Sequence, residues 1–230
     1  MIQEHIQDPQ HLGLIVLSGG MDSVTLLYEY RERIGLALSF DYGAKHNARE
    51  LPCARYHCER LGIPHIIIPL GFMGEYFRSS LLLSGGDIPL GQYDEHNIQS
   101  TVVPFRNGIM LSIAAGLAES HALGSIYIAN HFGDHALYPD CRASFIEPMT
   151  RAVREGTTNA VELIAPYTHL DKGQIASIGA RLGIDYSHTW SCYQGRELHC
   201  GECSTCLERR EAMAQAGLED PTAYESKPIQ

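Results

Sequence analysis

Cationic side chains are scarce in this sequence: 17 Lys and Arg stand against 27 Asp and Glu over 230 residues, a net charge of −10. Binding along a phosphate backbone needs clustered basic residues, so nucleic acid is not an expected partner, whereas a small molecule is. No apolar run reaches the ~18 residues that read as a membrane span. Met1 to Gln10 lacks both the basic region and the apolar stretch of a secretory leader, so no membrane association and a cytoplasmic location are expected. Internal repeats and low-complexity tracts are also missing. With 44% hydrophobic and 19% charged residues, the composition suits one full core with room for a small appendage.

What the chain does contain is alternation. Apolar runs of strand length at Leu12 to Leu17, Leu36 to Asp41, His65 to Leu70, Ser125 to Asn130 and Val161 to Ala165 alternate with segments of helical period. The helical segments are Asp22 to Arg33, His46 to Leu61, Asn107 to Ser120, Ala143 to Glu155 and Gln174 to Leu182. That order predicts an α/β fold around a mainly parallel sheet. The stretch Gly71 to Thr101, with Gly85-Gly86 and Pro89, reads as a long loop or lid.

Ligands of such sheets sit beyond the carboxyl ends of the strands. There the sequence turns polar: Ser18-Gly19-Gly20-Met21-Asp22-Ser23 after the first strand, Asp41-Tyr42-Gly43 after the second, and Asn130-His131-Phe132-Gly133-Asp134 after a later one. Leu17 to Ser23 is a strand end, a glycine turn and a helix start, whose converging N–H groups and helix dipole suit an anion such as a phosphate. Neither a Walker Gly-Lys-Ser/Thr nor a Gly-x-Gly-x-x-Gly pattern is present. A plain tight βα turn capped by Ser18 or Asp22 explains the same residues without a ligand.

Seven cysteines are present, and four of them form Cys192-x7-Cys200-x2-Cys203-x2-Cys206. Thiolates at that spacing can surround a tetrahedral Zn²⁺ and fill every position, which makes a closed structural site. An iron–sulfur cluster uses the same donors, but nothing nearby suggests electron transfer. Cys53 and Cys58 read as core or surface thiols, and Cys141 as packing or a nucleophile. Arg106 at a helix start opposes the dipole and so points to an anionic partner, while Asn107 fits a helix cap. Lys172 beside a capping box of Asp171 and Gln174 carries the same implication. Asp134, Tyr138 and Asp140 share one loop whose carboxylates could accept from a base edge or hold Mg²⁺, although turn chemistry also favours aspartate there.

Ser18 to Ser23 resembles the pyrophosphate loop of the ATP-pyrophosphatase superfamily, which cleaves ATP between the α and β phosphates. Thr189-Trp190-Ser191-Cys192-Tyr193, Cys200 to Arg210, Asp41-Tyr42-Gly43 with His46 and Glu50, Val103-Pro104 before Arg106-Asn107, Tyr138 to Arg142, and Leu170 before Lys172 together resemble the 7-cyano-7-deazaguanine synthase (QueC) family. The resemblance runs almost the whole length. Phe105 is the main departure, standing where that family usually has glycine, and is expected to reshape the pocket. The resemblance implies a Rossmann-like parallel sheet of the adenine nucleotide alpha hydrolase type over residues 1–186, with a zinc-binding C-terminal segment over 187–230.

It further implies a homodimer that uses ATP, Mg²⁺ and ammonia to convert 7-carboxy-7-deazaguanine, through adenylated acid and amide intermediates, into 7-cyano-7-deazaguanine for queuosine-type biosynthesis. On this reading Ser18, Asp22, Ser23 and Lys172 are catalytic, and Leu17 to Ser23, with Gly19, Gly20 and Met21, hold the nucleotide. Arg106, Asn107, Asp134, Tyr138 and Asp140 hold the deazapurine, and the four cysteines hold zinc. The alternatives are an amide-forming ligase on a deazapurine acid, a tRNA-modifying enzyme of the same superfamily, and a zinc-dependent binding module with a decayed nucleotide site.

Overall fold

In the computed structural model, which describes residues 12–91, 98–133 and 138–226, five strands form one sheet. They are β1 (Gly13–Val16), β2 (Ile34–Asp41), β3 (His65–Pro69), β4 (Ser125–Tyr127) and β5 (Glu162–Ile164), in the order β3-β2-β1-β4-β5 with every pairing parallel. The helices are α1 (Met21–Glu29), α2 (Asn47–Leu61), α3 (Gly71–Tyr76), α4 (Ile98–Thr101), α5 (Arg106–Ser120), α6 (Ala143–Gly156), α7 (Lys172–Arg181) and α8 (Ser204–Gln215). This is a Rossmann-like, doubly wound arrangement.

Both faces of the sheet are covered, which is why its strands read as unbroken apolar runs. Leu14 of β1 joins Leu38, Ile126 and α5's Leu111 and Ala114 in one core. The next residue, Ile15, points the other way, to Ala37, Tyr127, Val24 of α1, Ala54 of α2 and Ile175 of α7. The stretch Gln99–Ser120, which contains α5, has the length and mean hydropathy (1.3) of a membrane span, yet half of it is buried inside the protein.

Four strands are shorter than their apolar runs, β4 most of all, because the chain leaves the ladder to build the site, whereas β2 starts two residues early. Leu17 N–H still donates to Leu38 O at 2.8 Å, and Ile128 N–H to Ile164 O at 3.0 Å, beyond the ends of β1 and β4. Helix α1 stops at Glu29, and Arg31–Arg33 forms an exposed 3-10 turn. The expected capping box is present, Gln174 N–H donating to Asp171 Oδ1 at 2.8 Å and Asp171 N–H to Gln174 Oε1 at 2.9 Å, and it starts α7 at Lys172, two residues early. The stretch read as a loop contains α3 and α4.

Beyond β5 the chain returns across the carboxyl end of the sheet. Cys192, Cys200, Cys203 and Cys206 belong to the same buried cluster as Leu14 and Leu38. Arg209 of α8 is fully buried, and its guanidinium donates to Asp220 Oδ1 (3.2 Å), Thr189 Oγ1 (2.8 Å) and the Tyr186 carbonyl (2.9 Å). Asp220 is held below the usual carboxylate range: burial opposes this, but Arg209 and hydrogen bonds from Tyr224 and Thr222 prevail.

Candidate active site

The strand order reverses between β1 and β4, and the pocket, a cavity of about 210 Å³, opens there. Its floor is the glycine turn. Gly19 has φ +95°, and a Cβ there would run into the Glu50 carbonyl and the Ala54 amide of α2. Ser23 Oγ accepts from the backbone N–H of Ser18 (3.2 Å) and Gly19 (3.3 Å) and lies 3.0 Å from Ser18 Oγ. Gly20 N–H donates to Ser18 Oγ at 3.1 Å. Both hydroxyls therefore pre-shape the turn.

Charges converge at the start of α1. Asp22 Oδ2 lies 3.6 Å from Lys172 Nζ and 3.7 Å from His131 Nε2, and Lys172 also reaches Glu208 Oε2 of α8 at 2.9 Å. Lys172, placed against the dipole of α7, is thus met by two carboxylates of the protein itself. Asp22 Oδ1 is buried with no hydrogen-bond partner among the described residues, an acceptor left for a bound cation or donor.

The opposite wall is built from Tyr42, His46, Glu50, Arg106, Asn107, Tyr138 and Tyr193. Tyr42 Oη lies 3.1 Å from His46 Nε2, which in turn lies 3.7 Å from Glu50 Oε2. Burial, helped by the Arg106 charge, pushes His46 down to about 3. Burial lifts Glu50 to about 8, even though Arg106 pulls the other way. Neutral imidazole and neutral carboxyl therefore share this wall at neutral pH. Arg106 is held charged: burial disfavours its cation, but Tyr42, Cys141, Tyr193 and Asp140 raise it well above the usual arginine value.

Of the residues singled out from sequence, Leu17, Ser18, Gly20, Met21, Asp22, Ser23, Arg106, Asn107, Tyr138 and Lys172 all line this one cavity. Gly19 sits just behind them in the turn. Asp134 lies outside the described residues. Asp140 stands behind the wall: its Oδ2 accepts the Asn107 N–H at 2.7 Å, capping α5, and its carbonyl accepts Asn107 Nδ2 at 3.2 Å. Asn107 is accordingly the capped residue rather than the cap; the N-cap position itself is Phe105.

Phe105 occupies backbone that favours glycine. It has φ +51° and ψ +31°, left-handed backbone that glycine adopts freely and that costs other residues about 1–2 kcal/mol. Its ring packs over Gly108 and edge-on to Phe145 at 5.7 Å, is 59% exposed, and is absent from the cavity lining. It does not reshape the pocket as the sequence led one to expect. Glu50, His46, Tyr193, Trp190 and Glu208 do line the cavity but were not singled out as site residues. The signal available for the first two was their place just after β2.

The four cysteine sulfurs are buried and lie within 4.8 Å of one another. Cys203 and Cys206 are 3.5 Å apart, and Cys200 and Cys206 3.9 Å. A tetrahedron of ~2.3 Å zinc–sulfur bonds has edges of about 3.8 Å, so the set suits zinc. Backbone N–H groups of Cys200, Glu202 and Cys203 donate to the sulfurs at 3.3–3.4 Å and offset thiolate charge. The arm is tied to the glycine turn, since Trp190 N–H donates to the Gly19 carbonyl at 3.1 Å.

A parallel sheet whose switch-point pocket joins an anion-suited glycine turn to a lysine, an arginine and several carboxyls defines a Rossmann-like α/β protein with a ligand pocket at the carboxyl ends of its strands. Its fold is shared with the NMN synthetase of Francisella tularensis, at TM-score 0.51 and 15% identity, over 92% of this chain and 79% of that one. The family model described as "Queuosine biosynthesis protein QueC" matches residues 13–217. Proteins named 7-cyano-7-deazaguanine synthase are similar at 71% identity in Porphyromonas gingivalis and 50% in Desulfotalea psychrophila, each over 92% of this chain and 96% and 97% of the relative. The chain belongs to the QueC family of queuosine biosynthesis proteins.

Proposed function

We propose that this chain converts 7-carboxy-7-deazaguanine, ammonia and ATP into 7-cyano-7-deazaguanine, adenylating first the acid and then the amide. The observation that carries this reading is the 71% identity, over 92% of the chain, to relatives named for that product.

The pocket supports it chemically. A carboxylate or amide oxygen is a poor leaving group, and transfer of AMP to it makes departure possible. The N–H groups of the glycine turn and the N-terminus of α1 suit the pyrophosphate, with Lys172 beside it. Arg106 suits the substrate carboxylate, and Tyr138, with Asp134 of the same loop in the sequence, the deazapurine, while Asp140 holds Asn107 from behind. Bound Mg²⁺ would offset phosphate charge, and Asp22 with its spare Oδ1 is the residue suited to hold it. Zinc held by Cys192, Cys200, Cys203 and Cys206 would cross-link a C-terminal segment, residues 187–230, onto a catalytic domain of residues 1–186. The same reading includes a cytoplasmic homodimer that needs no nucleic acid.

The test is incubation with 7-carboxy-7-deazaguanine, ATP, Mg²⁺ and ammonium, followed by product mass and nucleotide chromatography. Nitrile with AMP and pyrophosphate is expected. Product stopping at the amide, or ADP as the nucleotide, overturns it.

A further inference from the structure

Besides Asp22, a second carboxyl of the pocket makes no hydrogen bond among the described residues. The Glu50 carboxyl lines the cavity from α2 with its side chain 14% exposed, and His46 Nε2 stands 3.7 Å from its Oε2, beyond hydrogen-bond range. No hydrogen bond to the carboxyl oxygens is made within the described residues. It sits over the phosphate-suited turn: a Cβ placed on Gly20 would lie 4.0 Å from Glu50 Oε1. A carboxyl that lines a cavity with no hydrogen bond from the protein is available to a ligand bound there.

We propose that Glu50 is the catalytic base that takes the proton from the substrate nitrogen, above all in turning the adenylated amide into the nitrile. This rests on the function proposed above. In that step the Glu50 carboxylate takes a proton from nitrogen, and the freed electron pair forms the second π bond of C≡N. The C–O bond to the adenylyl group breaks, and AMP leaves with that bond's electrons. Glu50 ends protonated and returns its proton to solvent on product release. In the earlier amide-forming step the same carboxylate takes the proton that the attacking ammonia must lose as the C–N bond replaces C–O.

The surroundings tune the group for this work. Facing Glu50 are Tyr42 beyond β2, His46 and Cys53 on its own side, Arg106 of α5, and Tyr193 of the C-terminal arm. Burial outweighs the attraction of Arg106 and lifts the carboxyl to about 8, which matches the range a general base needs near neutral pH. His46, pushed down to about 3, stays neutral and does not compete for the proton.

The assay supplies the primary amide and ATP without ammonia, so that the base's ionisation is read apart from that of ammonium. Pyrophosphate release and nitrile formation are followed in single turnovers from pH ~6 to ~10. The wild-type nitrile step is expected to rise with pH through about 8 and then level, since the carboxylate is the active form. Glu50→Gln, an isostere of the protonated acid, should keep pyrophosphate release while the nitrile step falls by about 10²–10⁴-fold and loses the rise. Glu50→Asp should restore part of the rate and the pH dependence.

A Glu50→Gln nitrile rate within about threefold of the wild type overturns the proposal. So does a flat wild-type profile, which decides the matter even if the variant misfolds. Wild-type protein that releases no pyrophosphate with acid or amide sinks the functional reading instead, a distinct result.

Discussion

Replacing Asp140 by alanine separates two roles that sequence alone allowed for this carboxylate. In the structure it accepts the Asn107 N–H at 2.7 Å, is 8% exposed, and lies beside Arg106. Asp140→Ala strands a buried N–H, at about 1–3 kcal/mol. It also removes an anion from a helix N-terminus, at about 0.3–1 kcal/mol. Taking about 2–3 kcal/mol together, and ~2–4 °C per kcal/mol for a chain of this size, Tm should fall by roughly 4–12 °C. Asp140→Asn keeps an acceptor for Asn107 and loses only charge, so its Tm should drop by about 1–4 °C. Thermal unfolding by circular dichroism gives both shifts, and turnover is then measured well below each transition. ATP affinity should be unchanged in both variants. Alanine protein that melts within about 1 °C of the parent, yet fails to bind the acid, would show that the carboxylate reads substrate and that the cap is dispensable.

Cys203→Ser should lose the metal, about one zinc per chain by elemental analysis, and melt earlier, with unchanged melting and metal content as the contrary result. Phe105→Gly relieves about 1–2 kcal/mol of left-handed strain but loses ~0.5–1.5 kcal/mol of ring packing on Phe145 and gains chain entropy worth ~0.5–1 kcal/mol when unfolded. Stability should thus move by no more than about 1 kcal/mol, and KM for the acid should hold; a large KM change would place the ring at the substrate. Burial, partly offset by a hydrogen bond to the His188 carbonyl, depresses His57 from 6.5 to about 4, so the unfolded chain binds the extra proton and stability falls as pH drops through that window. Between pH 7 and 5, urea unfolding should show the wild type losing about 2 kcal/mol more than His57→Gln; equal losses would refute the assignment.

The sheet was legible because its central strands are buried on both faces, so their residues are mostly apolar, and the intervening helices carry apolar residues toward them. Helix α8 was not, because its buried face carries Ser204, Thr205, Cys206 and Arg209 in place of aliphatics. The glycine turn and the cysteine set are local in sequence and could be read as motifs. The pocket's other half is not local. Glu208 meets Lys172 across 36 residues, and Asp140 caps Asn107 across 33, so which aspartate faces a ligand and which serves a helix depends on packing that no spacing reveals. Glu50 was visible as a motif residue, but its isolation from hydrogen-bond partners emerges only when α2 is laid over the turn.

The bond from Trp190 to the Gly19 carbonyl has a bearing on synthesis of the protein at the ribosome. Every strand of the sheet has emerged by Ile164, but the wall residues Trp190, Tyr193 and Glu208, and the Asp220 that neutralises Arg209, emerge last. At ~5–20 residues per second this leaves a nascent chain several seconds with a formed sheet and an open glycine turn. A turn in that state faces bulk water, without the wall that later covers it. Placing these wall residues beside the four cysteines, after the last strand, delays closure of the turn until that segment has been made.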